Sequence, residues 1–373
     1  MKIKAAVLRE FNKPLNIEEV ELASPKENEV LVKTAYTGFC HSDLHFIKGT
    51  VNFGLPSVIG HEASGVVEAV GPGVTSVKKG DHVVAAWLVP CGHCPECASG
   101  QPYICRKNSA IFKDGVLPDM TTRLTDAKGE KLCHQIFVSG FAEYMVIPEA
   151  GAVKIREDMP LDQACFLGCC MPTGFGAVYN AAEVKPGESV AIWGMGGVGL
   201  NVVRGAKLRS ANPIIGVDLE ASKEAIAREF GVTHFIDNSK VDPVPIIQEL
   251  TGGQGAKYCF EVIGDPGAVT QASWALSRGG KFIQVGVTPP DSLTGLPLSF
   301  FTAQSKSLQG VNYGHIKPHQ DIPAFADMAM RGDLGLDRLI SKKFRVEEIN
   351  DVVEAMKNRR IIGRWVCDWT GNK

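Results

Sequence analysis

The spacing of hydrophobic positions changes near residue 160, and this change divides the chain into two kinds of structure. Before it, short segments that alternate or run apolar, such as 30–35 and 64–70, lie between Gly- and Pro-containing turns, a pattern typical of β-strands. After it, apolar strands alternate with helical segments, which indicates a parallel sheet with helical crossovers. Two amphipathic helices, at 322–330 and 346–357, and a last strand close the chain. The pattern therefore predicts a β-barrel with few helices followed by an α/β unit.

Composition narrows the class of protein. The 373 residues are 45% hydrophobic and 21% charged, which is typical of a globular protein of two or three domains. The 39 basic and 41 acidic residues nearly balance, so charge gives no reason to expect nucleic acid or an anionic membrane as partner. We find no apolar run that would span a bilayer, and the first residues resemble a strand rather than a signal peptide. We therefore expect a cytoplasmic protein that acts on a small molecule.

The cysteines are the first sign of metal chemistry. The chain has 11 of them, and in a large cytosolic protein clustered cysteines are more often metal ligands than disulfides. Four lie within a loop of fifteen residues: Cys91, Cys94, Cys97 and Cys105. Four thiolates complete the tetrahedral coordination of Zn²⁺, so this loop predicts a structural zinc site. An iron–sulfur cluster is also compatible with the spacing.

A glycine-rich loop predicts a dinucleotide site. The apolar strand 189–193 leads into Gly194, Gly196 and Gly199, and a helix follows to about Leu208. Asp218 ends the next strand, nineteen residues after Gly199. Its carboxylate would bind the ribose hydroxyls of NAD and repel the 2′-phosphate of NADP, so NAD is favoured. The remaining predicted cofactor-binding residues of this region are Gly197 and Val198 in the loop and Lys223 in the following helix.

A third cluster combines 40–45, Cys-His-Ser-Asp-Leu-His, with 60–62, Gly-His-Glu. With these motifs the whole chain resembles the zinc-containing medium-chain alcohol dehydrogenases. The other motifs that carry the resemblance are the four-cysteine loop, the glycine loop, Gly168-Cys169 with Thr173-Gly174, and Phe260-Glu-Val-Ile-Gly264. The resemblance implies an α/β protein with a GroES-like β-barrel catalytic domain at 1–170 that is completed by 314–373. A Rossmann domain with a doubly wound parallel sheet is then expected at 171–313.

The resemblance also implies a catalytic zinc bound by Cys40, His61 and Cys169, in addition to the structural zinc. Such a site keeps one position open for the alcohol, whose pKa the metal lowers. This chain has two adjacent cysteines, Cys169 and Cys170, where the family usually has one followed by glycine. The distance from Thr173 favours Cys169 as the ligand, and Cys170 is the alternative.

Further roles are implied for residues around these ligands. Ser42 and His45 are expected to relay the alcohol proton to solvent, and Asp43 to fix the tautomer of His61. Glu62 is expected behind the zinc, or simply in an ion pair with Arg364. The resemblance places His41, Thr173 and Arg364 at the cofactor and Trp87 and Phe141 in the substrate pocket. For Trp87 and Phe141, core packing is an equally good interpretation.

The predicted function is a zinc-dependent oxidoreductase that transfers hydride between an alcohol and NAD, giving an aldehyde or ketone. One alternative is a dehydrogenase of a formaldehyde–thiol adduct, which would use Arg106 or Lys107 to hold the carboxylate of the thiol carrier. Another is a dehydrogenase of a cyclic or acyl-CoA-linked alcohol. A non-catalytic NAD-binding protein is disfavoured because the expected zinc ligands and Ser42 are present. The long segment 106–140 is interpreted as an irregular surface excursion, either without regular structure or with one hairpin, and its length favours a homodimer over a homotetramer.

Overall fold

The computed structural model describes residues 1–289 and 291–371. Its strands are β1 (Lys2–Leu8), β2 (Asn16–Leu22), β3 (Glu29–Gly38), β4 (Ser57–Val58), β5 (Glu62–Val70), β6 (His82–Ala85), β7 (Leu124–Asp126), β8 (Lys131–His134), β9 (Tyr144–Pro148), β10 (Ala152–Lys154), β11 (Val190–Trp193), β12 (Ile214–Asp218), β13 (His234–Asp237), β14 (Ala256–Glu261), β15 (Leu276–Gln284), β16 (Ser307–Gly310), β17 (Ile340–Phe344) and β18 (Arg364–Asp368). Its α-helices are α1 (His41–Ile47), α2 (Pro95–Ala98), α3 (Arg106–Ser109), α4 (Leu161–Ala164), α5 (Cys170–Gly176), α6 (Gly197–Leu208), α7 (Glu224–Phe230), α8 (Pro243–Leu250), α9 (Pro266–Ala275), α10 (Leu298–Ala303), α11 (Pro318–Met330) and α12 (Ile349–Lys357).

The chain divides into two compact units, one formed by Met1–Cys170 with Lys317–Lys373 and the other by Met171–Ile316. In the first unit β1, β2, β7, β8 and β4 close into a small barrel. Ile3, Ala5 and Val7 of β1 are buried in one core cluster and Ala6 and Leu8 in another, because successive side chains of a strand point to opposite faces. The predicted β-barrel is therefore confirmed.

Segment 106–140 contains the hairpin that was one interpretation of its sequence, formed by β7 and β8, but it is not a surface excursion. Its strands β7 and β8 pair with each other and with β2 and β4, so they form part of the barrel wall. Leu124 and Leu132 are buried in the barrel core. The surface-excursion interpretation was wrong because strands of three or four residues are too short to show the hydrophobic period that would mark them as buried.

A second sheet of the first unit carries the residues that later matter for chemistry. Its strands follow the order β10-β6-β5-β3-β18-β17, and β9 also pairs with β3. β5 begins at Glu62, β3 ends at Gly38, just before Cys40, and β18 begins at Arg364. Pairing of Gly38 with both Glu62 and Val366 brings these three strand ends together.

The second unit contains a parallel sheet in the order β13-β12-β11-β14-β15-β16. This order reverses direction after β11, which is the arrangement of a doubly wound dinucleotide-binding sheet. Ala191, Ile215 and Cys259 are fully buried in the middle of it, as expected for strands covered on both faces. The predicted doubly wound sheet is confirmed. In the described ranges we find no helix that is both long and apolar enough to cross a membrane.

Candidate active site

Helix α1 begins at the motif that follows β3. Cys40 is its N-cap, and the Asp43 carboxylate accepts the Cys40 backbone N–H through Oδ2 at 2.8 Å, as in a capping box. The other oxygen, Oδ1, accepts a hydrogen bond from His61 Nδ1 at 2.9 Å. Asp43 is fully buried, so its charge requires these partners. One side chain thus fixes the start of the helix and the orientation of His61, as predicted.

Cys40, His61 and Cys169 come together around one point. Their ligand atoms all lie within 4.8 Å of one another, and the two sulfurs are 4.0 Å apart. Two Zn–S bonds at a tetrahedral angle would separate the sulfurs by about 3.8 Å. Because Nδ1 of His61 is held by Asp43, its Nε2 is the nitrogen that remains for a metal. The donor set therefore fits Zn²⁺ with one position left for substrate.

The structure also distinguishes between the two adjacent cysteines. The metal-ligand group formed by described residues contains Cys169 and not Cys170. The Cys170 backbone N–H instead donates to Glu62 Oε2 at 2.9 Å. A hydrogen bond from the Cys169 thiol, aided by the charge of Arg364, holds the pKa of Cys40 well below its usual range. Cys40 is thus suited to act as a thiolate ligand.

Arg364 lies behind this cluster in an ion pair with Glu62. Its Nε is 3.3 Å from Glu62 Oε1, and its terminal nitrogen lies 3.5 Å from the Cys40 sulfur. Burial raises the pKa of Glu62 to about 7, although the charge of Arg364 opposes this shift. Within the first unit, the structure supports the ion-pair interpretation of Glu62 and gives Arg364 buried partners.

Ser42 and His45 lie on one face of α1, three residues apart. The Ser42 hydroxyl is 3.8 Å from the Cys40 sulfur, which places it beside the metal-ligand group. His45 is half-buried, and burial lowers its pKa. The ring of His41, which is exposed, lies 5.1 Å from the ring of His45. The Ser42 hydroxyl and the His45 imidazole thus follow one another along α1, starting beside the metal-ligand group.

The four cysteines of the loop also form one group, with ligand atoms within 4.8 Å of one another. The Cys94 and Cys105 sulfurs are 3.9 Å apart, and the N–H groups of Cys91 and Cys94 donate to sulfurs of the group at 3.4 Å. Burial would raise the pKa of Cys91, but backbone N–H groups of His93 and Cys94 hold it at about 6. Four thiolate donors at these distances suit a closed tetrahedral zinc site.

The glycine loop of the second unit has the geometry of a dinucleotide site. Gly194 has φ +101°, a backbone conformation that favours glycine. At Gly196 a Cβ atom would meet no other atom of the protein, so the space beside this residue at the start of α6 is open. Asp218 accepts the Met195 N–H at 2.7 Å, and both of its oxygens lie 3.0 Å from Lys223 Nζ. Thr173 lies in α5, where Gly174 packs closely on the Val198 carbonyl. The glycine loop and the N-terminus of α6 suit the diphosphate of NAD, and the Asp218 carboxylate suits its ribose.

Comparison with known proteins agrees with this chemistry. Residues 26–157 match the alcohol dehydrogenase GroES-like domain, and residues 197–331 match the zinc-binding dehydrogenase family. An alcohol dehydrogenase class-3 of Cereibacter sphaeroides is 38% identical over 366 residues, which cover 95% of this chain and 97% of the relative. An S-(hydroxymethyl)glutathione dehydrogenase of Paracoccus denitrificans is 37% identical over 367 residues, with coverage of 95% and 97%. The crystal structure of benzyl alcohol dehydrogenase from Acinetobacter calcoaceticus superposes with a TM-score of 0.92, at 31% identity and 99% coverage of both chains.

The chain belongs to the zinc-dependent medium-chain alcohol dehydrogenases. This membership confirms the predicted reaction class, an NAD- and zinc-dependent oxidoreductase that acts on small-molecule alcohols. It also decides between zinc and an iron–sulfur cluster at the four-cysteine loop in favour of zinc.

The two predicted pocket aromatics of this dehydrogenase lie in different surroundings. Trp87 is half-buried, and its ring lies 6.3 Å from that of Phe112. Phe141 is fully buried in the core, 5.8 Å from the ring of Phe39. Its backbone N–H and C=O bond to Ile59 and Ala6. This placement favours the core-packing interpretation of Phe141, while Trp87 keeps an accessible face.

Sequence reasoning missed Gln135, which contacts the zinc-ligand network of the dehydrogenase. Its side-chain amide donates to Asp43 Oδ1 at 3.1 Å, and its carbonyl oxygen accepts the backbone N–H of Gly60. We see no sequence signal that would have found it, because only the pairing of 135–141 with 58–60 brings it there.

Proposed function

We propose that this dehydrogenase oxidises apolar aromatic alcohols of the benzyl type, with NAD, at the zinc site formed by Cys40, His61 and Cys169. The observation that carries the substrate class is the group of aromatic rings beside His61. Phe46 lies edge-on to His61, with ring centroids 6.4 Å apart, and Phe53 packs on Phe46 at 4.5 Å. Together with Trp87 these rings suit a substrate whose reactive carbon carries an aromatic group.

The pairing of β6 supports a position of Trp87 near the ligands. Ala85, two residues before Trp87, pairs with Ala63, which follows His61 by two residues. A side chain at Gly168, next to Cys169, would meet the Ala85 carbonyl. The end of β6 therefore lies beside residues that neighbour two of the ligands, and Trp87 follows it by two residues.

The proton of the alcohol leaves along α1. Ser42 is placed beside the Cys40 sulfur, so its hydroxyl is positioned to accept the proton from an alcohol at the open position and to pass on its own. His45, half-buried on the same helix face, is the group that exchanges the proton with solvent. Asp43 and Gln135 hold His61 in one tautomer while this occurs. When bound, zinc supplies a Lewis acid for the alcohol oxygen and NAD supplies the hydride acceptor.

Oxidation of a hydroxymethyl–thiol adduct is the second candidate, because the Paracoccus denitrificans relative carries that name. It would require a cation for the carboxylate of the thiol carrier. Arg106, the basic residue just past Cys105, donates through Nε to both oxygens of Glu96, at 2.7 and 2.9 Å. Its guanidinium is therefore already paired, which disfavours Arg106 for this role and leaves Lys107 as the other candidate cation.

The test is NADH absorbance with a panel of benzyl alcohol, cinnamyl alcohol, cyclohexanol, ethanol and the glutathione adduct of formaldehyde. Burying an aromatic ring stabilises its complex by roughly 2 kcal/mol, so benzyl alcohol should exceed ethanol in kcat/KM by about thirtyfold. Trp87→Ala should reduce this ratio, whereas Arg106→Ala should leave it unchanged. Highest kcat/KM for the glutathione adduct, with loss on Arg106→Ala, would establish the second candidate instead.

We also propose that the enzyme is a cytoplasmic homodimer. All 11 cysteines are free thiols, and two groups of them are poised for metal, which suits a reducing compartment. Strand β16 ends the described order of the sheet in the second unit, with Leu308 exposed on it. Trp274 and Phe300, also exposed, lie with ring centroids 5.2 Å apart. An edge strand beside exposed apolar side chains is typical of a surface that a second copy covers.

Analytical ultracentrifugation checks the assembly. The wild type should sediment as a dimer, and Leu308→Lys should shift it toward monomer because it places a charge in the interface. Lys131→Leu, on the barrel of the other unit, is the control and should leave the mass unchanged. A wild-type monomer at micromolar concentration would contradict the dimer, and a tetramer would require a further interface.

A further inference from the structure

We propose that Gln135 is a positioning residue for the catalytic zinc site, which holds Asp43 and thereby His61 in the orientation that the metal requires. The proposal rests on the zinc site and not on the identity of the alcohol. Gln135 lies outside the motifs that carry the family resemblance, and it reaches the site only through the fold.

Both ends of the Gln135 amide are used. Nε2 donates to Asp43 Oδ1 at 3.1 Å, and Oε1 accepts the backbone N–H of Gly60. Asp43 Oδ1 is the same oxygen that accepts His61 Nδ1 at 2.9 Å, and Gly60 is the residue before His61. The Gln135 amide therefore holds both Asp43, which orients His61, and the backbone that leads into His61. Because donor and acceptor are both specified, the side chain has one orientation here.

The contact is enclosed. Gln135 is 1% exposed and Asp43 is fully buried, so water does not replace the amide easily if it is removed. Asp43 Oδ1 would then depend on His61 alone, and the Gly60 N–H would lose its acceptor. A partner that orients a histidine ligand commonly changes metal affinity when it is lost. We therefore expect removal of the Gln135 amide to weaken zinc binding before it destabilises the fold.

The backbone that delivers Gln135 adopts an unfavourable conformation. Ile136, Phe137 and Ser139 have φ values of +39°, +69° and +60°, a region that side-chain-bearing residues rarely adopt and that is least favourable for a β-branched residue. Such conformations persist where the surroundings enforce them, and they cluster at functional sites.

Hydrogen bonds on both sides keep this segment in place. Gln135 N–H donates to the Val58 carbonyl at 3.3 Å, and Gly140 N–H donates to the Gly60 carbonyl at 2.7 Å. The Thr37 hydroxyl binds the Gly140 carbonyl at 2.6 Å. The segment 135–140 thus runs beside the residues that lead into His61, with the amide of Gln135 pointing at Asp43.

The test measures zinc release from the purified holoenzyme into a chelator, with the four-cysteine zinc as internal reference. Gln135→Met keeps the side-chain length and removes both hydrogen bonds, while Gln135→Glu at pH 8 keeps the acceptor and removes the donor. Both variants should release the catalytic zinc at least about tenfold faster than the wild type, with the reference zinc unchanged. Thr37→Val, which removes a buried hydrogen bond to the same segment without touching Asp43, should stay within about twofold of the wild type.

A double variant separates positioning from general loosening. If Gln135 acts through Asp43, then Asp43→Asn with Gln135→Met should release zinc no more than about twofold faster than Asp43→Asn alone. Cobalt in place of the catalytic zinc should show shifted visible bands in Gln135→Met and unshifted bands in Thr37→Val. Release from both Gln135 variants at the wild-type rate would overturn the proposal, as would additive effects in the double variant. A wild type that holds only the reference zinc would instead contradict the catalytic zinc site itself.

Discussion

His134 should make the stability of the dehydrogenase depend on pH. It is fully buried, and its Nε2 accepts the backbone N–H of Arg123 at 3.2 Å, which requires the neutral imidazole. Nδ1 lies 3.2 Å from the Ser139 hydroxyl and therefore donates to it. Burial, with the nearby charge of Arg123, lowers the pKa of His134 from its ordinary value of 6.5 to about 3.

The sign follows from proton binding. Below pH 6.5 the unfolded chain binds a proton at this residue and the folded chain does not until about pH 3, so stability falls as the pH is lowered. One pKa unit corresponds to about 1.4 kcal/mol, so the loss between pH 7.5 and pH 5 is about 2 kcal/mol for this histidine.

The assay is urea unfolding at pH 7.5 and pH 5, followed by tryptophan fluorescence, for the wild type and His134→Gln. Glutamine retains an acceptor for the Arg123 amide and does not titrate. Other groups, the zinc thiolates included, contribute equally to both proteins. The wild type should therefore lose about 2 kcal/mol more than His134→Gln over this interval. An equal loss in the two proteins would refute the reasoning.

Two further substitutions test the cofactor and proton assignments. Asp218→Asn removes the charge that would repel a 2′-phosphate but keeps an acceptor for Met195, so the ratio of kcat/KM for NADP to that for NAD should rise at least about tenfold. An unchanged ratio would remove Asp218 from the ribose site. Ser42→Ala should lower turnover by about a hundredfold at unchanged zinc content, and Ser42→Thr, which keeps a hydroxyl, should recover most of it. Full turnover in Ser42→Ala would show that the proton leaves by another route.

Local chemistry explains which features were predictable from the sequence. The predicted dinucleotide loop and the predicted four-cysteine group are both found. Each depends on residues close together in the chain: a glycine at 194, an acidic residue at the end of the next strand, and the spacing of four cysteines. The place of β7 and β8 in the barrel was not predictable, because it depends on pairing with β2 and β4, which are distant in the chain.

The same reasoning explains what stayed open at the site. Phe141 follows a motif that resembles a pocket-lining position, yet packing against Phe39 places it in the core. Gln135 became visible only once 135–141 were known to run beside 58–60. Contacts between distant segments therefore decided what the local sequence left open.

The central claim is that Cys40, His61 and Cys169 hold a catalytic zinc separate from the four-cysteine zinc. Zinc content per chain of the wild type and Cys169→Ser, measured by atomic emission on protein whose NADH production has been assayed, tests it most directly. The account predicts two zinc ions in the wild type and one in an inactive Cys169→Ser, while Cys170→Ser keeps two and remains active. Two zinc ions and full turnover in Cys169→Ser would contradict it.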